Sequence, residues 1–311
     1  MKKDSKIFIA GHKGLVGSSI CKHLKEKGYN NLVTRTRQEL DLLDQNAVNN
    51  FFHDNNIEYV FTAAAKVGGI LFNNNYQADF LYENVVIASN LIHAAHQFGV
   101  KKLLYLGSSC IYPRMAPQPI KEEYLLQGPL EPTNEGYALA KIVGLKLCEK
   151  YQKQYGKNFI SAMPTNLFGP GDNFHPDHSH VIPGMMRRFH EAKTKQAPQV
   201  VIWGSGQPRR EFLYVEDLVA ALELIMLEYN DPYTINVGTG QDVTILELAH
   251  LMKEIVGYEG EIKTDPSKPD GMPRKVLDIS KIKALGWKPK YTLEEGLRET
   301  YAWALEAGKF S

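Results

Sequence analysis

The sequence predicts an α/β protein, a doubly wound parallel sheet joined to a smaller, discontinuous α/β domain. Three observations carry that expectation. Short apolar runs at residues 7–10, 32–34, 59–63 and 103–106 alternate with helical stretches at 15–27, 45–53 and 77–98, the order that builds a parallel sheet covered by helices on both faces. A glycine-spaced turn, Gly11 to Gly17, joins the first strand to the first helix. Beyond Gly169 the texture changes, and glycine, proline and histidine punctuate residues 169–183.

Each element follows from its residues. Ile7, Phe8, Ile9 and Ala10 form a short apolar run that suits a buried strand, and the helical periodicity of 15–27 ends at Gly28. A helix over 135–155 precedes a fifth strand at 159–163. Residues 200–203 and 212–215 read as further strands, and 215–228 and 245–256 as helices. A late strand at 234–237 returns to the first sheet. The division is therefore discontinuous: residues 1–169 with 214–239 form the dinucleotide-binding domain, and 170–213 with 240–311 form the substrate domain.

Composition narrows the function. Of 311 residues 43% are hydrophobic, and 36 basic residues stand against 35 acidic ones, a net charge of +1. That balance argues against a nucleic-acid or membrane-surface partner and for a small-molecule substrate. Cys21, Cys110 and Cys148 are odd in number and lack metal-like spacing, which predicts a reducing compartment without disulfides. The N-terminal apolar stretch is too short for a signal peptide, and no run of about eighteen apolar residues occurs. A cytoplasmic location is expected. His175, His178 and His180 cluster, but no cysteine or carboxylate spacing completes a zinc site, so no metal is expected.

Gly11-His12-Lys13-Gly14-Leu15-Val16-Gly17 is the expected cofactor turn. Missing side chains permit a tight bend and close approach of backbone to a pyrophosphate, while the helix N-terminus supplies free N–H groups and positive dipole. Strand, glycine turn and helix in this order make the sheet Rossmann-type. At the end of the second strand an NAD enzyme usually places a carboxylate; here stand Thr34-Arg35-Thr36-Arg37, with Lys13 nearby. Cations suit the additional phosphate of NADP. Glu39 and Asp41 lie just downstream and blunt the inference, and at least one of Arg35 and Arg37 is expected to be a solvated surface charge, but NADP remains the favoured cofactor.

Tyr137 and Lys141 stand four apart on one predicted helix, so phenol and ammonium share a face. A phenol releases its proton near pH 10, and a neighbouring cation together with the positive nicotinamide of an oxidised cofactor brings it toward acid–base work. Ser108 follows the fourth strand, where ligands of open parallel sheets bind. It is placed to hydrogen-bond the same substrate oxygen.

Glycine turn, strand-end serine and helical Tyr/Lys, in this order, resemble the extended short-chain dehydrogenase/reductase family that modifies nucleotide sugars. Within it, Gly107-Ser108-Ser109-Cys110-Ile111-Tyr112-Pro113, Met163-Pro164-Thr165-Asn166-Leu167 and Ser179-His180-Val181-Ile182-Pro183 are similar to the GDP-L-fucose synthase group. So are the segments 63–70, 172–176, 203–206 and 267–271. Lys13 stands where some relatives carry arginine. The resemblance implies 3,5-epimerisation of GDP-4-keto-6-deoxy-D-mannose followed by NADPH-dependent reduction at C4. It also implies Ser108, Tyr137 and Lys141 as catalytic residues, with Cys110 and His180 as the epimerising acid and base. A packed thiol and a structural histidine are the plainer alternatives for those two. Leu106, Gly107, Ser108, Ser109, Lys141, Pro164, Thr165, Asn166, Leu167 and His180 would join Gly11–Gly17 and Arg37 in holding NADP. Arg188, Trp203, Arg210 and Asp270 would bind the GDP-sugar, Arg188 from a helical stretch opening after Pro183. A homodimer is common in the family. A nucleotide-sugar 4-epimerase and a non-catalytic NADP-sensing regulator are the competing readings. Asn84 and Asn90 are expected to bond backbone and take no part in catalysis.

Overall fold

The computed structural model describes residues 1–176, 179–268 and 270–310. His178 of the histidine cluster and Pro269 of the 267–271 segment lie outside the described residues.

The chain begins with β1 (Ile7–Ala10), α1 (Leu15–Glu26), β2 (Leu32–Val33), α2 (Gln45–Asn55), β3 (Tyr59–Thr62), α3 (Ile70–Asn75), α4 (Gln77–Gln97) and β4 (Lys102–Leu106). It continues through α5 (Glu135–Tyr155), β5 (Asn158–Pro164), β6 (Asn166–Phe168), α6 (Val181–Thr194), β7 (Gln199–Trp203), β8 (Arg209–Arg210), β9 (Phe212–Tyr214) and α7 (Val215–Glu228). The last elements are β10 (Ile235–Val237), β11 (Val243–Thr244), α8 (Ile245–Val256), β12 (Glu261–Asp265), β13 (Arg274–Lys275), α9 (Ser280–Ala284) and α10 (Leu293–Glu306).

The main sheet runs β10-β5-β4-β3-β1-β2, parallel throughout. Strands 1, 4 and 10 are buried along their whole length, as a sheet covered on both faces requires. α1 packs with α7, while α4 packs between α2 and α5. Chain order reverses at β1, whose neighbours are β2 on one side and β3 on the other. Such a reversal opens a crevice beyond the carboxyl ends of the strands. The late strand pairs Ile235 with Ala162 and Val237 with Pro164, closing the sheet on its far side.

A second hydrophobic cluster gathers Phe168, Met186, Phe189, Leu248, Met252 and Leu297. It is framed by small sheets: β7 with β12, β8 between β11 and β13, and β6 with β9. Glu211, fully buried, ties this part to the main sheet. Its carboxylate accepts from Gly240 N at 2.6 Å and Leu277 N at 2.9 Å, and its carbonyl from Thr165 Oγ1 at 3.3 Å and Asn166 Nδ2 at 2.8 Å.

The structure corrects one detail of the expected elements. α6 starts at Val181, before Pro183 rather than after it, so Arg187 and Arg188 sit in mid-helix. Proline within a first turn costs little, because the N–H it lacks has no intrahelical acceptor there. The short strands β6, β8, β11, β12 and β13 and helices α3, α9 and α10 add to the elements expected. α10 carries a capping box, Thr292 with Glu295, which is a legible start signal.

Candidate active site

The glycine turn lies at the reversal point. Gly11 has a positive φ of 86°, and a Cβ there would stand 2.6 Å from Ala64 N, just beyond β3. A Cβ on Gly17 would stand 2.1 Å from Gly11 O. Neither position tolerates a side chain, so backbone approaches closely at both. Gly14 caps α1 without a side-chain bond, leaving first-turn N–H groups directed outward. Leu15 and Val16 are half-buried, Lys13 is exposed, and His12 Nδ1 is buried with no hydrogen-bond partner. This cradle fits a dinucleotide diphosphate.

At the end of β2, Arg35 is absorbed by the protein. Its guanidinium lies 5.5 Å from the Phe51 ring and donates to Thr34 O at 2.8 Å. Arg37 is exposed. Glu39, the nearby carboxylate, already accepts from Thr36 N at 2.7 Å. The strand end therefore presents Arg37 and Lys13 as its available charges.

Beyond β4, Leu106 and Gly107 are buried, and a Cβ on Gly107 would strike Met163. Ser108 caps a single 3-10 turn, Ser109–Ile111, its Oγ accepting from Cys110 N at 3.4 Å. That turn packs against α5, which brings Cys110 to the Tyr137–Lys141 face. Lys141 is buried, donates to Leu106 O at 2.8 Å, and holds its Nζ 5.6 Å from the Tyr137 ring centre. Burial, opposed in part by Cys110, lowers the Lys141 pKa to about 8. Burial, with Cys110 and Tyr105 adding to it, pushes the Tyr137 phenol well above its ordinary range. Burial outweighs the pull of Lys141 on the phenol, and the expected lowering rests also on the positive nicotinamide of the oxidised cofactor.

Pro164 and Thr165 are buried, and Asn166 and Leu167 half-buried, at the exit from β5. The side chains of Thr165 and Asn166 are spent on the Glu211 carbonyl, leaving backbone as what this segment offers the crevice. His180 stands at the N-terminal cap of α6. Its surface reaches solvent, and desolvation by the surrounding protein lowers its pKa. Asp172 lies on the same connection, buried, with Oδ2 unpartnered and a pKa raised by burial to about 7.

The four residues expected to bind substrate all lie in the smaller part. Arg188 approaches Val201 O of β7 at 3.5 Å, and Trp203 at the end of β7 is 60% exposed. Asp270 accepts from Ser205 N at 2.6 Å and Ser205 Oγ at 2.8 Å, and Arg210 donates to Met272 O at 2.7 Å. Asn84 bonds the backbone of Lys66 and Phe80, and Asn90 that of Leu42, as expected of packing residues. Among the described residues no cluster of His, Cys, Asp and Glu is fit to hold a metal ion. Nor is any described helix long and apolar enough to cross a membrane.

Residues 7–238 match the family model described as the NAD dependent epimerase/dehydratase family. The chain belongs to that family. Among its members the chain is 57% identical over 310 residues to the GDP-L-fucose synthase of Escherichia coli K12, covering 97% of both chains. The solved GDP-L-fucose synthetase of Naegleria fowleri bound to NADP superposes with a TM-score of 0.91 at 30% identity, over 100% of this chain and 97% of that one. A GDP-mannoheptose C4 reductase of Campylobacter jejuni with NADP bound gives 0.91 at 40% identity, over 98% and 99%. The family and the NADP-bound neighbours point to a nicotinamide cofactor for this chain. Sequence reasoning passed over Glu131, Asn134 and Lys275, which line a cavity with Cys110; their only signal was proximity to segments already singled out.

Proposed function

We propose that this chain is a GDP-L-fucose synthase, which epimerises GDP-4-keto-6-deoxy-D-mannose at C3 and C5 and then reduces its C4 ketone. The observation that carries the proposal is Cys110 beside the Tyr137–Lys141 pair. A plain ketoreductase needs the pair alone, whereas epimerisation beside a carbonyl needs a further acid–base group. Overall identity of 57% to a GDP-L-fucose synthase supports the same substrate.

NADP(H) is the proposed cofactor, with the diphosphate on residues 11–17 and the additional phosphate between Lys13 and Arg37. Segments 106–109 and 164–167, together with Lys141 and His180, would hold the rest. When bound, NADPH supplies the hydride for C4.

The protein's own residues manage protons. Ser108 and Tyr137 bind the C4 oxygen, so that a proton lost from C3 or C5 leaves its electron pair delocalised onto an oxygen already held by hydrogen bonds. Cys110 and His180 act from opposite faces, one removing the proton and the other returning it. During reduction Tyr137 delivers its proton to the C4 oxygen. Its high pKa keeps that proton in place until the oxygen becomes basic. Arg188 and Arg210 bind the diphosphate, Trp203 packs on a ring, and Asp270 accepts from hydroxyl or base N–H groups.

The working form is a homodimer, joined through the exposed apolar residues Leu81 and Tyr82 of α4 and Leu139 and Val143 of α5. Three free cysteines suit the cytoplasm. The test is incubation with GDP-4-keto-6-deoxy-D-mannose and NADPH in deuterated water. NADPH oxidation should accompany GDP-L-fucose carrying deuterium at C3 and C5. Reduction without deuterium at either carbon would reassign the chain as a C4 reductase.

A further inference from the structure

We propose that Lys275 is a positioning residue for epimerisation, its ammonium stabilising Cys110 as the thiolate that removes a carbon-bound proton. The inference rests on the GDP-L-fucose synthase reading for its chemistry, and on the following geometry for its placement.

Lys275 belongs to β13, in register with Arg210 of β8, and its carbonyl accepts from Glu211 N at 3.3 Å. This fixes its backbone. Its side chain lines a cavity of about 40 Å³ with Ser109, Cys110, Glu131, Asn134 and Met272. Among the described residues Lys275 Nζ has neither a hydrogen bond nor an ion pair. The two carboxylates nearest in charge are occupied: Glu131 pairs with Arg114 at 3.3 Å and accepts from Thr133, and Glu211 accepts from Gly240 and Leu277. Burial lowers the Lys275 pKa, and of the charges that face it Cys110 acts most strongly to raise it, with Arg210 lowering and Glu211 and Glu131 raising it.

Cys110 is also faced by Tyr105 of β4 and by Tyr137 and Lys141 of α5. Lys141 keeps its charge while donating to Leu106 O, so Lys141 and Lys275 are the two ammonium groups that face Cys110, and Lys275 is the one without a hydrogen-bond partner among the described residues. A thiolate beside an ammonium is the form that accepts a proton. In the step proposed, an S–H bond forms as a C–H bond beside the C4 carbonyl breaks, and the electron pair passes to the C4 oxygen. A proton returned from His180 on the opposite face completes the inversion. No oxidant or reductant enters.

Alkylation by iodoacetamide tests this without any sugar nucleotide, so its outcome is independent of the substrate assignment. Peptide mapping would follow Cys110, with Cys21 on the remote helix α1 as the internal reference. At pH 7 Lys275→Met should slow alkylation of Cys110 about tenfold relative to Cys21, since only the thiolate reacts. Lys275→Arg should restore most of the rate, and Lys275→Gln serves if the methionine variant misfolds. With substrate, deuterium exchange at C3 and C5 should fall through kcat and shift to higher pH, with KM little changed. Unaltered alkylation in a folded Lys275→Met or Lys275→Gln protein overturns the proposal. A rise in KM with unaltered alkylation also overturns it, making Lys275 a diphosphate ligand beside Arg210.

Discussion

The two walls of the proposed site are built differently. On the main-sheet wall, Lys141 is buried and bonded to backbone, the turn holding Ser108 and Cys110 packs on α5, and Gly11 and Gly17 tolerate no side chain. On the opposite wall, His180 and Arg188 reach solvent and Trp203 is 60% exposed. Proton delivery at one fixed oxygen needs the first kind of wall. Gripping a nucleotide and reaching both faces of a sugar needs the second. Reduction should therefore depend on one wall, and epimerisation on both.

The largest effect expected is on the buried wall. Tyr137→Phe removes the proton donor and should cut NADPH oxidation by about 10²–10⁴, while cofactor affinity, measured by fluorescence titration, stays within a few-fold. Near-normal turnover would dismiss Tyr137 from its role.

Cys110→Ser and His180→Asn sharpen the comparison between walls. Each should lower deuterium exchange at C3 and C5 by roughly 10²-fold or more without disturbing NADPH binding. Cys110→Ser should still permit slow reduction, yielding incompletely epimerised sugars by NMR. Full incorporation at normal rate in both variants would leave the thiol as packing and the imidazole as structure.

Cofactor choice comes next. Neutralising Lys13 and Arg37 together should weaken NADPH by about 1.5–3 kcal/mol per lost charged contact and leave NADH almost unaffected. Equal losses for both cofactors would place the additional phosphate elsewhere.

The smallest effect lies away from the crevice, on α5. Burial would raise the pKa of Glu149, but Lys146, Lys153 and Lys150 outweigh it and bring it down from 4.5 to about 2. A carboxylate with a depressed folded pKa stabilises above its unfolded pKa and loses that contribution as pH falls from about 4.5 toward 2. The three ammonium groups are 36–64% exposed, so screening reduces the contribution to about 1 kcal/mol. Urea denaturation at pH 7 and pH 3 should show a larger loss in wild type than in Glu149→Gln.

Helices 135–155, 215–228 and 245–256 were legible to the residue, because apolar periodicity and breakers such as Gly156 and Gly257 agree there. The late strand was legible as an apolar run in the right place. β12, whose residues are Glu261, Ile262, Lys263, Thr264 and Asp265, has no apolar alternation of the usual depth; it is a strand because β7 pairs with it. At the site, Gly11, Ser108, Tyr137 and Lys141 could be singled out because their spacing is local and their order fixed. The downward pull of Lys141 on Tyr137 was expected from proximity alone, and only the fold reveals burial as the larger force. Lys275 escaped because a lysine after Pro273 and Arg274 reads as a surface charge; pairing with β8 carries it to Cys110.

The outer strand Ile235–Val237 has a consequence for the chain as it is being made. Its partner β5 ends at Pro164, and Ile235 follows 71 residues later (235 − 164). A ribosome adding about 5–20 residues each second leaves the β5 edge uncovered for roughly 4–14 s. That edge carries Phe159, Ile160 and Met163, all fully buried once the sheet is closed, and an apolar strand with unpaired N–H and C=O groups is a template for another nascent chain. A message truncated anywhere between codons 165 and 234 would make the uncovered state permanent, so such fragments should accumulate as aggregates even though five strands of the sheet are present.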